Sequence, residues 1–256
     1  MTQIKQINDA NTFGFEHKSD TDFGVDESGA TALGYQHHDA LWWNESDIVE
    51  THRPETLDLG HTVQHFHGLF SKIAFNVVNA FDPETMLDLG CGSGLLAQYI
   101  RKFNRAITTV TVDANRLVGE KSPYIDHNHF TARTDQNLDF RDEQNNKMTF
   151  DVVISLEHFE HVPPETFDIL MDNIVEHTHA GSYLIFTAAL WEYDEEDQKH
   201  VHCHIKSEEE WIKYVESYGF EILAMPFRLE RAGDTVEILA RRTPSFESET
   251  RRPGIW

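Results

Sequence analysis

The sequence predicts an α/β domain with a mostly parallel β-sheet that is covered by helices on both faces. Short runs rich in β-branched and aromatic residues alternate with stretches that have apolar residues at helical spacing. Because parallel neighbours need a crossover connection, this alternation places helices on the two faces of one sheet. Seven strands are predicted, at residues 85–90, 106–112, 129–132, 150–156, 182–190, 220–227 and 235–242.

Three predicted helices have clear signals. Apolar residues recur at helical spacing over 61–81, and again after the proline pair at 163–164, since proline suits a first helical turn. A third helix over 207–218 begins with a capping box formed by Ser207 and Glu210. The last two strands follow, joined by a short polar loop, so we expect the sheet to end in an antiparallel hairpin.

Composition and charge restrict the class of protein. The chain has 256 residues, 39% of them hydrophobic, and two cysteines, Cys91 and Cys203, without a paired motif or zinc-ribbon spacing. We expect a cytoplasmic, soluble protein, because neither a signal peptide nor a membrane-spanning run is recognised. The net charge of −23 opposes binding to long nucleic acids. The oligomeric state stays open.

The chain divides into three segments. Residues 57–242 contain the predicted elements and form one domain. Residues 1–56 are polar and acid-rich but contain several aromatic residues, which predicts an N-terminal extension that packs on the domain or forms a lid. Residues 243–256 are predicted to be a polar C-terminal tail.

A glycine-rich turn follows the first predicted strand, in the sequence MLDLGCGSGLL. Asp88 lies near the end of the strand, and Gly90, Gly92 and Gly94 precede a helix. Glycine lets the backbone approach a ligand closely, and the N–H groups at a helix start bind nucleotide-like groups. A dinucleotide fingerprint would have glycine or alanine in place of Leu95, which disfavours an NAD site.

The DxGxGxG pattern of this turn resembles motif I of class I S-adenosylmethionine (SAM) dependent methyltransferases, and the resemblance covers residues 60–241. It implies a Rossmann-like seven-stranded sheet in the order 3-2-1-4-5-7-6, with the seventh strand antiparallel. It also implies SAM as the cofactor.

The resemblance assigns roles to individual positions. Asp113, which ends the second strand, matches the carboxylate that binds the ribose hydroxyls, and a carboxylate suits two neighbouring donors. Asp135 and Gln136 match positions beside the adenine, and the backbone around Leu156 matches the segment that faces the methionine part. The implied cofactor-binding residues are Asp88, Gly90, Cys91, Gly92, Gly94, Asp113, Asp135, Gln136 and Leu156.

An acidic and histidine-containing segment, SLEHFEHVP, follows the fourth strand. Its Glu157, Glu160 and His161 resemble the ExxEH stretch of ubiquinone-type O-methyltransferases, and that of small-RNA 3′-terminal 2′-O-methyltransferases, where it helps to hold a divalent cation. If residues 157–161 form a helical turn, these side chains share one side near the transferred methyl group. They are the candidate catalytic residues, acting as a general base or as ligands of Mg²⁺.

Three further histidines precede the third helix, in KHVHCHIK. In an extended strand His200, His202 and His204 would face one way. They could complete a metal site at the ExxEH segment or bind an acidic substrate. A metal-free base is favoured, because Mg²⁺ prefers oxygen ligands to imidazole.

We therefore expect a SAM-dependent methyltransferase that acts on an oxygen, or with less support a nitrogen, of a small molecule. One alternative is an RNA 3′-terminal 2′-O-methyltransferase with a divalent metal, which the net charge disfavours. The other is a non-catalytic protein with this fold that serves as an interaction module, which the intact glycine turn disfavours.

Overall fold

A computed structural model describes residues 5–6, 60–114, 118, 122, 124–192, 202–229 and 234–244. Most of the N-terminal extension, most of the C-terminal tail and His200 lie outside the described residues. The segment boundaries and the roles expected for the two ends therefore stay predictions.

The strands of the described part are β1 (Lys5–Gln6), β2 (Thr85–Leu89), β3 (Thr108–Asp113), β4 (His129–Thr131), β5 (Phe140–Arg141), β6 (Phe150–Ser155), β7 (Thr178–Ala189), β8 (Phe220–Leu223) and β9 (Thr235–Arg242). The helices are α1 (Gly60–Phe81), α2 (Leu95–Phe103), α3 (Phe167–Glu176) and α4 (Glu208–Ser217), and a 3₁₀ turn spans Phe159–His161.

Seven strands form one sheet in the order β4-β3-β2-β6-β7-β9-β8. The first five are parallel to one another, and β9 runs antiparallel to both β7 and β8. Counted along the chain within this sheet, the order is 3-2-1-4-5-7-6, which confirms the predicted topology. Separately, β1 pairs with β5, so Lys5–Gln6 lies beside Phe140–Arg141.

Helices cover both faces of the sheet, as expected for buried parallel strands. On one face, α1 and α2 contribute Ile73, Val77 and Ile100 to a hydrophobic cluster. On the other, α3 and α4 contribute Leu170 and Trp211 to a second cluster. The apolar stripes predicted for these helices therefore face the sheet.

Two strands differ in length from the prediction by more than one residue. β7 begins at Thr178 and continues through a register shift against β6, with Gly181 at a φ of 96°. β8 ends at Leu223, and Pro226, which has no N–H for a ladder, lies in the segment that follows. The capping box at the start of α4 is confirmed, since Ser207 and Glu210 accept from each other's backbone N–H groups.

The position of β2 fixes where a ligand can bind. From β2 the chain moves to β3 on one side and later to β6 on the other, so the strand order reverses at this point. In open α/β sheets, ligands bind at the carboxyl ends of the strands where the order reverses.

Among the described residues, no helix combines the length and apolarity that crossing a bilayer requires.

Candidate active site

The turn between β2 and α2 has three glycines in the left-handed region. Gly90, Gly92 and Gly94 have φ values of 68°, 51° and 75°. An added Cβ atom would lie 2.4 Å from Cγ of His158 at Gly90, and 2.3 Å from Cδ1 of Ile125 at Gly94. Backbone conformation and close packing both require glycine at these two positions.

Asp113 lies beside this turn, at the end of β3. Its Oδ2 accepts a hydrogen bond of 2.8 Å from the backbone N–H of Gly92. The N–H groups of Gly90 and Cys91 donate to the carbonyl of Val112 at 2.9 and 3.0 Å. These bonds join the turn to β3 and place the Asp113 carboxylate next to the glycines, and its contact with the ribose hydroxyls stays a prediction.

Asp88 is 3% exposed, and its Oδ2 has no hydrogen-bond partner among the described residues. Burial and the charge of Asp113 raise the pKa of Asp88 to about 7, while Arg101 acts in the opposite direction. A buried carboxylate oxygen without a donor costs free energy. An ammonium group, such as that on the methionine part of SAM, would lower this cost, so the turn fits the cofactor.

Two other predicted cofactor positions, Cys91 and Leu156, are half-buried. They lie where the carboxyl ends of the parallel strands meet, which we call the carboxyl edge of the sheet. The Sγ of Cys91 lies 3.9 Å from Nδ1 of His129. Burial, together with the charges of nearby aspartates, raises the pKa of the Cys91 thiol well above its usual value. The thiol is therefore protonated at neutral pH, and the structure shows Cys91 as part of the turn's packing.

Asp135, predicted to lie beside the adenine, is used inside the protein. Its carboxylate forms a salt bridge with Arg133 and accepts a bond of 2.7 Å from Oγ1 of Thr166. Burial raises the pKa of Asp135, but Arg133 and Thr166 together hold it below its usual value. Gln136 is exposed. Contact of Asp135 and Gln136 with adenine stays a prediction.

The ExxEH segment does not form the full helical turn expected over 157–161. Glu157 has a φ of 51°, so only Phe159–His161 is helical. The backbone N–H of Glu157 donates to Oγ1 of Thr187 on β7 at 2.8 Å, which holds this conformation. A left-handed non-glycine residue is typical of functional sites, where neighbouring structure maintains the strain.

Glu160, His161 and His202 come together into a buried cluster, and we call these three residues the EHH cluster. One candidate ligand atom from each lies within 4.8 Å of the others. The Oε1 of Glu160 accepts a bond of 3.0 Å from the backbone N–H of Ala189. The ring centroids of His161 and His202 are 4.9 Å apart. Two segments that are distant in sequence thus meet at the ends of β6 and β7.

The proton position on His202 follows from its partner. Nδ1 of His202 lies 2.8 Å from the carbonyl oxygen of Trp191. A carbonyl only accepts, so Nδ1 carries a proton and the lone pair of the neutral ring is on Nε2. Burial lowers the pKa of His202, against the Trp191 carbonyl and the charge of Glu157. His202 is neutral at pH 7, and its Nε2 can accept a proton or a cation.

The other histidines of this segment behave differently. Residues 202–206 form no strand, so the expected alternation on one strand face is absent. The N–H of His204 donates to the carbonyl of Glu160 at 3.0 Å, and its ring packs edgewise on Phe167 with a centroid distance of 4.5 Å. His202 therefore joins the candidate site and His204 packs in the core, while His200 lies outside the described residues.

Two residues near the site have no signal in the sequence. His158 is 4% exposed and touches both Gly90 and Thr134. Trp191 is 41% exposed, and its ring packs edgewise on His202 at a centroid distance of 4.5 Å. Both lie at the carboxyl edge, but a single histidine or tryptophan looks the same in sequence whether it packs or binds.

Comparison with known proteins agrees with this geometry. A family model described as a methyltransferase domain matches residues 60–225, which is more than half of the chain. The ubiquinone biosynthesis O-methyltransferase of Serratia proteamaculans is 27% identical over 146 residues, covering 54% of this chain and 55% of that protein. The enzyme of the same name from Paramagnetospirillum magneticum is 29% identical over 127 residues, covering 48% of each. The chain spans about half the length of these relatives.

Solved structures share the fold at low sequence identity. The magnesium protoporphyrin IX methyltransferase of Synechocystis superposes with a TM-score of 0.54 at 14% identity, covering 84% of this chain and 99% of that one. The N-methyltransferase NodS of Bradyrhizobium japonicum gives a TM-score of 0.51 at 12% identity, covering 82% and 98%.

The sheet order, the glycine turn and the acid at the end of β3 define a class I SAM-dependent methyltransferase domain. The family match gives the same result, and the chain belongs to the methyltransferase domain family. The predicted family and fold are confirmed, and family membership implies SAM as the cofactor.

Proposed function

We propose that this domain transfers the methyl group of SAM to a hydroxyl oxygen of a small molecule. The observation that carries the proposal is the EHH cluster, which brings a carboxylate and two imidazoles to the carboxyl edge where the glycine turn also lies. A hydroxyl is a weak nucleophile until its proton is removed, so methyl transfer to oxygen needs a group that accepts this proton or lowers its pKa. Two curated relatives, named as O-methyltransferases, support the choice of oxygen.

Methyl transfer requires the sulfur of SAM, the methyl carbon and the acceptor oxygen to lie in one line. SAM supplies a methyl group on a positively charged sulfur. The acceptor oxygen forms a bond to that carbon while the carbon–sulfur bond breaks, and the sulfur keeps the bonding electrons and becomes neutral. The protein holds the oxygen behind the methyl group, which can supply much of the rate enhancement, and accepts the hydroxyl proton.

We assign the proton acceptor to His161, next to Glu160. Glu160 is fully buried, and the Ala189 N–H fixes one of its carboxylate oxygens. A carboxylate beside an imidazole orients the ring and stabilises the imidazolium that forms. In this mechanism Asp88 and Asp113 bind the cofactor, whereas Glu160 and His161 act on the acceptor.

The same cluster supports a second mechanism, in which a divalent metal ion binds to Glu160, His161 and His202. Candidate ligand atoms within 4.8 Å of one another favour it. One carboxylate and two imidazoles suit Zn²⁺ or another transition metal better than Mg²⁺, which prefers oxygen ligands. A metal there would lower the pKa of the acceptor hydroxyl and orient it. Activity that survives EDTA supports His161 as a base, and activity that needs added Zn²⁺ or Mn²⁺ supports the metal.

An acceptor screen tests the proposal directly. The protein is incubated with SAM and a panel of phenols, catechols, aliphatic alcohols and amines, and S-adenosylhomocysteine (SAH) formation is measured. We expect turnover with a hydroxyl compound, and we expect mass spectrometry of the product to locate the added methyl group on oxygen. Turnover with amines alone would overturn the choice of oxygen. SAH binding together with no turnover on any compound in the panel would favour the non-catalytic alternative.

The RNA alternative is tested by binding. The net charge of −23 opposes the counterion release that drives protein–RNA association. We expect a filter-binding assay to show no association with a short single-stranded RNA at physiological salt. Micromolar, salt-sensitive binding would instead make RNA 3′-terminal 2′-O-methylation the better hypothesis.

A further inference from the structure

We propose that His158 is a positioning residue that couples the cofactor-binding turn to the catalytic segment. His158 lies between the end of β6 and the 3₁₀ turn Phe159–His161, and it is 4% exposed. A Cβ atom added at Gly90 would lie 2.4 Å from Cγ and 2.6 Å from Nδ1 of His158. The backbone of the glycine turn therefore rests directly on the imidazole.

The opposite side of the ring reaches a third segment. Nε2 of His158 lies 2.7 Å from Oγ1 of Thr134, a fully buried residue in the loop after β4. The side chain of Asn173 donates to the carbonyl of Thr134 at 2.9 Å, so this loop is also held from α3. The imidazole thus links the glycine turn to the loop that carries Asp135.

The backbone of His158 completes the connection. Its carbonyl accepts a bond of 3.0 Å from the N–H of His161, which closes the 3₁₀ turn. This turn sets where Glu160 and His161 stand relative to β7. A shift of the His158 ring therefore also moves the His158 carbonyl, and with it the turn that carries Glu160 and His161. In this way cofactor binding and acceptor alignment depend on each other.

The ring acts by shape and hydrogen bonding, not by proton transfer. The ring is 4% exposed and is enclosed between Gly90 and Thr134, so its contacts are made inside the protein. The positioning role of the imidazole is the same under the proton-acceptor and metal mechanisms. The inference rests on the cofactor site of the family and is independent of which acceptor is methylated.

The test compares three variants by SAH titration calorimetry. His158→Leu removes the hydrogen bond to Thr134, and His158→Gln keeps an amide near the position of Nε2. His177→Gln is the matched control, because His177 is also buried but its Nδ1 and Nε2 lie 2.7 and 3.0 Å from the carbonyl oxygens of Met148 and Leu138, away from the glycine turn. We expect about tenfold weaker SAH binding in His158→Leu, near wild-type binding in His158→Gln, and unchanged binding in His177→Gln despite a lower Tm.

Two further readouts separate positioning from loss of stability. Adding Thr134→Val to His158→Leu should weaken binding little more than His158→Leu alone, because both remove the same contact. In hydrogen exchange, SAH should protect the His161 amide in the wild type and in His158→Gln, and not in His158→Leu.

The inference fails if His158→Leu binds SAH as tightly as the wild type, or if His177→Gln weakens binding equally. A wild-type protein that does not bind SAH would refute the cofactor site itself. Absence of any acceptor turnover, with SAH binding and its dependence on His158 intact, would count only against the proposed function.

Discussion

Two aspartates at opposite edges of the central sheet, Asp151 and Asp88, have opposite hydrogen-bonding environments. At the amino edge, Oδ2 of Asp151 accepts bonds from the N–H groups of Glu84 and Thr85 at 2.8 and 2.9 Å and from the Thr85 hydroxyl at 3.0 Å. His179 lies 3.1 Å from its other oxygen. At the carboxyl edge, Asp88 is buried with one oxygen lacking a partner among the described residues.

The contrast extends to their acidity. Burial raises the pKa of Asp151, but the donors at Thr85, His179 and Glu84 bring it below its usual value. Burial and Asp113 raise the pKa of Asp88 to about 7. The Asp151 carboxylate is satisfied by its own chain, whereas the buried Oδ2 of Asp88 has no donor among the described residues, which fits a carboxylate that a ligand would satisfy. Substitutions at the carboxyl edge should change binding and turnover, and those at the amino edge should change stability.

The largest effect is expected at the EHH cluster. We predict that Glu160→Gln and His161→Ala lower kcat by about 10²-fold or more. The first removes the carboxylate that stabilises the imidazolium, the second removes the proton acceptor, and under the metal mechanism each removes a ligand. SAH affinity should change less than about threefold, since the cluster is assigned to the acceptor and not to the cofactor. Turnover with the acceptor found in the screen and SAH calorimetry measure the two quantities. Full activity in His161→Ala would remove this residue from the mechanism.

Asp113 and Asp151 provide a matched pair of substitutions. Asp113→Asn should weaken SAH binding by roughly tenfold to a hundredfold, because it loses a charge-assisted contact to the ribose worth about 1.5 to 3 kcal/mol. Asp151→Asn should leave SAH affinity unchanged and lower the free energy of unfolding by about 1 kcal/mol. Calorimetry and urea unfolding of both variants test the contrast, which is refuted if the two substitutions affect SAH affinity equally.

The raised pKa of Asp88 predicts a pH dependence of stability. Between the unfolded value of 3.8 and the folded value of about 7, the folded state keeps a proton that the unfolded state has lost. The Asp88 contribution to stability therefore falls as pH rises through this window, by at most about 1.4 kcal/mol per pH unit, and levels off above it.

Asp88→Asn isolates this contribution. The difference in unfolding free energy between wild type and variant should change from pH 5 to pH 7 and be constant above pH 8, as measured by urea unfolding. Because a bound ammonium group favours the charged carboxylate, wild-type SAH affinity should rise from pH 6 to pH 8 more steeply than that of the variant. Parallel pH curves for the two proteins would show that Asp88 does not titrate in this range.

The smallest effect is expected at the cap of α4, away from both edges. Ser207→Ala removes the acceptor for the Glu210 N–H, so the free energy of unfolding should fall by about 1 kcal/mol. SAH binding should not change. Thermal unfolding together with calorimetry measures both, and a loss of SAH affinity here would show that stability and binding are not separable in the way that the two edges suggest.

Local patterns in the sequence determined the order of strands and helices and the glycine turn. Strand and helix periodicities are set by neighbours a few residues apart, and the left-handed φ of Gly90 and Gly94 reflects a requirement that glycine alone meets readily. The capping box at Ser207 was visible for the same reason, since its two partners are three residues apart.

Contacts between distant segments were decided by the tertiary structure. The sequence offered three histidines as equals, and packing brought His202 to Glu160 and His161 while His204 entered the core beside Phe167. Packing also committed the carboxylate of Asp135 to Arg133 and Thr166.

The position of Glu157 shows the physical limit of sequence pattern. ExxEH spacing predicts one helical face, but a backbone bond to Thr187 holds Glu157 at a φ of 51° and takes it out of the turn. His158, between the two glutamates of the motif, instead packs on Gly90 and bonds Thr134. Spacing along the chain fixes side-chain direction only where the backbone is regular, and at the carboxyl edge the loops take their shape from the strands and side chains that they contact.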